Sequence, residues 1–244
     1  MIIFYDQTDS TNRIAFDLMR QGYPDGTVVQ AGQQSAGRGQ HGRRFSSPPG
    51  GLYFSLLLRP KFDVARLPLV TLVTGLACCQ VIAAHLSLHP RLKWPNDIYL
   101  QGRKLAGILC ENSVGPPGDP LASGVIIGVG LNVNVRLEDF PEDLQPLVTS
   151  LFTHTGKEED LASLLQTLLA AIKGAVVALG KEASSLLHQW QQYDYLLGKK
   201  IEYTAGSTSL FGIGSGIDHT GRYCLLDAQG VKHHIIGGQL RISS

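Results

Sequence analysis

The sequence predicts an α+β chain that ends in a small β-barrel, and three observations carry this. Strand-like runs and two long apolar helical runs, Leu67 to Leu88 and Leu161 onward, succeed one another up to about residue 195. Leu52 to Leu58 is so dense in apolar residues that it reads as a strand covered on both faces. From Leu197 the character changes to short alternating segments separated by Gly- or Asp-containing turns, the pattern of a small barrel. The expected boundary divides the chain into residues 1–194 and 195–244, and 244 residues suffice for one medium and one small domain.

The elements follow in order. Ile2 to Tyr5 is a short apolar strand. Asp9-Ser10-Thr11-Asn12 introduces a helix through about Arg20, and Asp9, Ser10 or Thr11 could each be a plain N-cap. Thr27 to Ala31 is a second strand and runs into a stretch rich in glycine and arginine. Leu67 to Leu88 has no polar face wide enough for solvent, which predicts a central helix. Arg91 to Trp94 is a strand stopped by Pro95. Asp97 to Leu100 and Lys104 to Cys110 alternate around Gln101-Gly102-Arg103 and read as a hairpin. Ser113 to Pro120 is a Gly/Pro loop, and Val125 to Val135 another strand. Leu161, Leu164, Leu165, Leu168, Ile172, Val176 and Leu179 mark an amphipathic helix that continues brokenly past Gly180 to Trp190. Lys200 to Thr204, Leu210 to Ile217, Arg222 to Leu226 and Lys232 to Ile236 are the expected barrel strands.

Composition excludes several classes. A hydrophobic content of 43% with 17% charged residues is that of an ordinary globular chain, not a disordered one. A net charge of +1 offers no global attraction to nucleic acid, so any anion binding is local and no DNA partner is expected. The four cysteines form no C-x-x-C pair, no His cluster has zinc spacing, and Cys78 and Cys79 fall in an apolar helical run as inert thiols. With no basic-then-apolar leader and no run of 18 apolar residues, the expectation is a soluble, cytoplasmic setting without a membrane role.

Gln33 to Phe45 organises the functional reading. Gly37, Gly39 and Gly42 alternate with Arg38, Arg43 and Arg44. Glycine lets backbone approach a ligand closely, and arginine presents a planar fork of donors that fits phosphate oxygens. The stretch reads either as a loop that closes over a phosphorylated ligand or as a solvated arginine-rich loop, and its glycines favour disorder before ligand arrives. It also spells G-x-G-x-x-G, with Asp63 at about the distance of a ribose-binding acid. That fingerprint must open a helix, and Phe45-Ser46-Ser47-Pro48-Pro49-Gly50-Gly51 cannot, so a dinucleotide site is rejected.

Three further stretches carry polar chemistry. In Lys93-Trp94-Pro95-Asn96-Asp97 a strand stops at proline and presents an amide and a carboxylate. Lys93 could neutralise a phosphate and Asp97 could hold Mg²⁺ or orient a ribose or amine, although Asn and Asp also satisfy their own turns. Lys104 opens an apolar strand beside the small residues Ala106 and Gly107, where a lysine can equally reach out to water. Gly128-Val129-Gly130-Leu131-Asn132-Val133-Asn134 allows close backbone approach in a strand, or forms a bulged core strand.

Taken together, Asp9-Ser10-Thr11-Asn12, Gln34-Ser35-Ala36-Gly37-Arg38-Gly39, Lys93-Trp94-Pro95-Asn96-Asp97, Arg103-Lys104-Leu105-Ala106-Gly107-Ile108 and Gly130-Leu131-Asn132-Val133-Asn134 closely resemble the biotin–protein ligases. The likeness covers almost the whole chain, Phe211-Gly212 through Gly237-Gly238 included. It implies a mixed β-sheet flanked by helices, of the class II synthetase-like biotin–lipoate ligase fold, with an Src-homology-3-like barrel. It implies activation of biotin by ATP to biotinyl-5′-adenylate, then transfer to a lysine of a biotin carboxyl carrier domain. Such chemistry needs positioning and charge neutralisation rather than a protein nucleophile. By resemblance, the catalytic residues are Lys104, Arg38 and Asp97. Biotin is met by Ser10, Thr11, Asn12, Gln34, Arg38, Gly39, Gln40, Lys104 and Gly107. The nucleotide is met by Arg38, Arg43, Phe45, Lys93, Asn96, Asp97 and Asn132. Mg²⁺ is implied by the ATP chemistry, and the resemblance allows a homodimer through a sheet edge.

Two departures stand out. Gln40 and His41 occupy the place where the family loop carries a second arginine, which predicts weaker retention of the adenylate; Phe45 stands where the family often has Trp. The chain also begins at the catalytic core, so a ligase without the DNA-binding repressor module of some family members is expected. The rivals are lipoate or octanoate transfer on the same fold and a non-catalytic biotin-binding module.

Overall fold

A computed structural model describes residues 1–61, 66–113, 123–206 and 208–243. Its first part is a seven-stranded sheet built from β1 (Ile2–Thr8), β2 (Val28–Gln34), β3 (Leu52–Leu58), β4 (Arg91–Lys93), β5 (Asp97–Leu100), β6 (Arg103–Ser113) and β7 (Gly124–Leu131), in the order β1-β2-β3-β7-β6-β5-β4. β1 and β2 run parallel and every other neighbouring pair runs antiparallel, so the sheet is mixed, as the resemblance implies.

Strand alternation sends side chains to two different worlds. Leu52, Phe54, Leu56 and Leu58 of β3, with Val125, Ile127, Val129 and Leu131 of β7, face a large core beneath α2 (Leu67–Leu86) and α4 (Leu161–Gln192). Leu57 and Ile126 face the opposite way and pack with α1 (Thr11–Arg20). α2 follows Pro68 at its first turn and stops where Ser87 takes a left-handed φ of 54°. Asp160 caps α4 by accepting from Ala162 N at 3.0 Å, and the helix breaks at Glu182, close to the expected interruption at Gly180. Both helices are long and apolar enough to cross a membrane by length and composition alone. The core accounts for that apolarity, since the inward residues of both belong to it.

Several boundaries differ from the sequence reading. β6 runs on to Ser113, which pairs with Gly124 across β7, so Ser113 is strand rather than loop. Residues 114–120 of that expected loop, and Asp63, lie outside the described residues. β7 ends at Leu131, because Asn132 N turns away to bond Leu105 O at 3.0 Å and Asn134 N bonds Gly50 O at 2.8 Å. The short α3 (Leu151–Thr155) was not legible; five residues are too few to show a helical period. The β5–β6 hairpin is as expected. Gln101 and Gly102 both take positive φ (49° and 82°), which the two-residue turn requires.

The second sheet is antiparallel and contains β8 (Lys200–Ala205), β9 (Thr208–Ile217), β10 (Tyr223–Leu226), β11 (Lys232–Ile235) and β12 (Gln239–Ile242), in the order β11-β10-β9-β8-β12. The last of these strands was missing from the sequence reading. Ile201, Ile217, Leu225, Ile235 and Leu240 join the same apolar core as α2 and α4. The connecting segment is pinned to β4: Leu92 N bonds Tyr193 O and Tyr195 N bonds Leu92 O, both at 2.8 Å. Trp94 Nε1 donates to Gly221 O at 2.9 Å and so ties the end of β4 to a turn of the second sheet.

Candidate active site

The face of the large sheet turned toward α1 carries a cavity of about 170 Å³. Period-two alternation on β6 and β7 puts Gly107, Leu109, Gly128 and Gly130 on its floor. Ser10, which precedes α1, and Thr11 and Asn12, its first residues, form one end. That helix terminus turns its positive dipole end toward the cavity, and its first N–H, that of Thr11, donates to Gln34 Oε1 at 2.8 Å. Lys93 to Asp97, Lys104 and the Arg38–Phe45 segment form the walls, and Gly238, Gln239 and Leu240 of the second sheet close one side.

The glycine-arginine stretch is folded as a hairpin. Arg38 pairs with Arg44 in a bridge, Phe45 N bonds Gly37 O at 2.8 Å, Gly39 N bonds Arg43 O at 2.7 Å, and Gln40–Gly42 make a single tight turn at the tip. Arg44 Nη2 donates to Ser35 O across its base. The sequence reading favoured disorder before ligand; the hairpin supplies a specific path for the same residues.

The glycines of β6 and β7 have a particular use here. A Cβ on Gly130 would lie 2.7 Å from Phe45 Cζ, and one on Gly107 would lie 3.0 Å from Phe45 Cε2. A Cβ on Gly128 would lie 2.8 Å from Asn12 Cγ. The expected close approach is therefore made by the Phe45 ring and the Asn12 amide, which fill the room that these glycines leave. Phe45 in turn sits edge-on to Tyr53 (centroids 6.4 Å apart) and beneath Lys104 Nζ, 5.6 Å from its ring.

The cations gather at the other end. Lys104 Nζ lies 2.6 Å from Asp97 Oδ1, the two residues meeting across the β5–β6 ladder. Lys93 Nζ lies 3.3 Å from Tyr99 OH and 5.0 Å from its ring centre. Burial lowers the Lys93 ammonium below the usual lysine range; Asp97 opposes this, while Lys104, Arg241 and Arg43 push the same way as burial. Three cations thus repel the Lys93 charge and one carboxylate attracts it, an electrostatic setting that an anionic ligand would relieve.

Ser10, Thr11, Asn12, Gln34, Arg38, Gly39, Gln40, Arg43, Phe45, Lys93, Asn96, Asp97, Lys104 and Gly107 all line this one cavity. The sequence reading had placed each of them in the site. Asn132 is the one expected residue that does not line it. It lies outside the cavity lining, 2% exposed, with its amide donating to Thr149 O at 2.9 Å and its Oδ1 buried without a hydrogen-bond partner. The reason is the end of β7, which turns the residue under the strand. Asn96 is also partly committed, its Nδ2 donating to Ile108 O at 2.9 Å. Ser10 precedes α1 in extended conformation but makes no side-chain cap, so the plain-cap alternative falls for it. Asp9 is held by Arg13 at 2.5 Å and accepts from Ser10 N at 2.6 Å.

Four participants were not read from the sequence. Ser55 is fully buried and bonds both Thr11 Oγ1 (2.8 Å) and Asn12 Oδ1 (2.6 Å). Ser47 Oγ accepts from Gln34 Nε2 at 2.9 Å. Glu111 meets Arg38, Nη2 to Oε1 at 3.0 Å. Leu240 brings the second sheet to the cavity. Two of these had a signal: Ser55 is the lone polar residue in an otherwise apolar strand, and Glu111 keeps the period-two phase of Gly107 and Leu109.

Comparison with known proteins bears on the family and the fold. The model of the biotin/lipoate A/B protein ligase family matches residues 4–132. The "bifunctional ligase/repressor BirA" of Bacillus spizizenii is 33% identical over 235 residues, covering 95% of this chain and 71% of that protein. A "biotin--[acetyl-CoA-carboxylase] ligase" of Mycobacterium tuberculosis is 31% identical over 229 residues, covering 90% of this chain and 80% of that protein. The solved biotin protein ligase of Aquifex aeolicus, in complex with biotin and ATP, superposes with a TM-score of 0.85 at 30% identity and covers 99% of both chains. The fold, the cavity and these likenesses converge: the chain belongs to the biotin/lipoate A/B protein ligase family.

Proposed function

We propose that the chain is a biotin–protein ligase. It joins biotin to the α-phosphate of ATP, releases pyrophosphate, and passes the biotinyl group from the adenylate to a lysine of a biotin carboxyl carrier domain. The observation that carries the reading is one cavity with a neutral hydrogen-bonding end at Thr11 and Gln34 and a cationic end at Lys104, Lys93 and Arg43. A neutral bicyclic head with a carboxylate tail suits the first end; the carboxylate and the phosphates suit the second.

The residue roles follow from the chemistry. Ser10, Thr11 and Gln34 meet the head of biotin. Lys104, held beside Asp97, offsets the charge that builds where carboxylate oxygen meets phosphorus. Lys93 and Arg43 receive the phosphates, and the Arg38 hairpin covers the adenylate and excludes water. Asp97 is the one carboxylate lining this cavity among the described residues and already faces Lys104. The donor set therefore fits Mg²⁺ that is held mainly by phosphates, with Asp97 as its protein ligand. Mg²⁺ would there neutralise phosphate charge. We also assign the chain to the cytoplasm, treat residues 195–244 as a small domain that walls the site, and take the exposed β1 edge as the surface for a homodimer.

Biotin-dependent exchange of pyrophosphate into ATP tests the reading. The native chain should show it, and Lys104→Ala should lower it by two orders of magnitude or more, in line with the loss of a group that stabilises developing charge, about 10²–10³ in rate. Exchange that depends on lipoate instead of biotin, or no exchange, would refute it. Thermal shifts add a binding measure, since ligand at 100 Kd stabilises by about 2.7 kcal/mol.

A further inference from the structure

Glu111 belongs to no motif of the sequence, yet a continuous set of hydrogen bonds runs from it to the far end of the cavity. Its Oε1 faces Arg38 Nη2 at 3.0 Å, and its Oε2 accepts from Arg38 Nη1 at 3.4 Å and from Asn12 Nδ2 at 2.8 Å. Asn12 also donates to Leu109 O at 3.1 Å and accepts through Oδ1 from Ser55 at 2.6 Å. Ser55 Oγ lies 2.8 Å from Thr11 Oγ1; with the Ser55 proton on Asn12, the one Thr11 hydroxyl proton serves either Ser55 or Gln34 Oε1 (3.2 Å), while the Thr11 N–H donates to Gln34 Oε1 at 2.8 Å. Gly128 is bare at the point where any side chain would collide with Asn12.

We propose that Glu111 is a positioning residue that couples the loop arginine to the neutral end of the cavity. This inference rests on the biotin-ligase reading. Glu111 is shared by two donors of different strength. The Arg38 side chain is 52% exposed, so its attraction to Glu111 is screened and readily exchanged for a more highly charged anion. Asn12 is 5% exposed and holds Glu111 by the shorter bond. When phosphate draws Arg38 across, Glu111 keeps only Asn12 as its charged partner's replacement, and its full charge bears on the Asn12 amide. That amide holds the Ser55 proton more firmly, so Ser55 accepts more strongly from the Thr11 hydroxyl, which turns from Gln34 Oε1 and leaves that oxygen with the Thr11 N–H and room for a ligand donor, because hydrogen bonds in chains reinforce one another. Nucleotide arriving at the cationic end thus tightens the end that holds the vitamin head. The linkage is reciprocal, so biotin favours release of Arg38 toward the nucleotide.

Calorimetric titration of biotin, with and without a non-hydrolysable ATP analogue, reads this coupling in the native chain, Glu111→Gln, Glu111→Asp, Arg38→Ala and the Arg38→Ala/Glu111→Gln double variant. The analogue should tighten biotin binding to the native chain. Glu111→Gln should weaken biotin alone by about twofold and cut the enhancement by about fivefold, Glu111→Asp should restore part of it, and the double variant should match Arg38→Ala, as expected for groups that act through one another. A Glu111→Gln chain with the full enhancement, or one that loses biotin affinity equally in both conditions, overturns the coupling and leaves a merely structural residue. A native chain that binds biotin without enhancement overturns this inference alone. A native chain that binds no biotin overturns it together with the function on which it rests.

Discussion

Asp194 sits in the segment that joins the two sheets, and its substitution by asparagine yields a quantitative prediction. The residue is 5% exposed, its Oδ2 accepts from Tyr223 OH at 2.9 Å, and its Oδ1 accepts from Leu196 N at 2.9 Å. Burial pushes its carboxyl from the ordinary 3.8 up to about 6, against the pull of those hydrogen bonds and of Arg91. The folded chain therefore holds this proton to higher pH than the unfolded chain does. Between about pH 4 and pH 6 the native state binds more protons, so stability falls as pH rises through that window and is level above it. The interval corresponds to about 3 kcal/mol. Asparagine has no proton to lose and keeps a carbonyl for Leu196 N, while the tyrosine hydroxyl can accept from its amide. Urea unfolding of the native chain and Asp194→Asn at pH 4, 5, 6 and 7 isolates the effect, because every other titrating group is common to both. The stability difference, variant minus native, should rise by about 2.4 kcal/mol from pH 4 to pH 7, the rest of the interval lying below pH 4. Parallel stability curves would refute the reasoning. Asp218 is the natural contrast: its carboxyl is held well below the usual range by hydrogen bonds from Thr220 and Arg222, despite some burial.

Two further predictions concern the cavity. Gly130→Ala puts a methyl 2.7 Å from Phe45 Cζ and drives the ring off Lys104. Since Phe45 sits at the end of the hairpin that walls the cavity, biotin and nucleotide affinity should drop by tenfold or more while stability falls by only about 1 kcal/mol, the low end of overpacking. Native affinity in calorimetry would show that the ring does not wall the site. Gln40→Arg adds to the hairpin tip the charge-assisted bond that the family's second arginine would make, about 1.5–3 kcal/mol, and should slow release of the adenylate by at least tenfold. An unchanged dissociation rate in stopped flow would show that this tip never reaches the phosphates.

The sequence by itself determined most of the elements and the stretches that line the cavity. The continuous apolar run of β3 and the period of 3.6 in α4 follow from local geometry and survive folding unchanged. Residues such as Arg38, Lys93, Asp97 and Lys104 were legible because glycine, proline and charge interrupt apolar runs only where something other than packing is at stake. What tertiary structure alone decided is which groups share a charge or a bond. Ser55 was one hydroxyl in an apolar strand until the β3–β7 register set it under α1, and Glu111 was one acid near a strand end until the hairpin brought Arg38 to it. Asn132 shows the same rule in reverse: its motif points to the ligand, and the turn after β7 buries it instead. Partners 43 or 73 residues apart are chosen by how sheets and helices stack, and no local pattern in a chain encodes that distance.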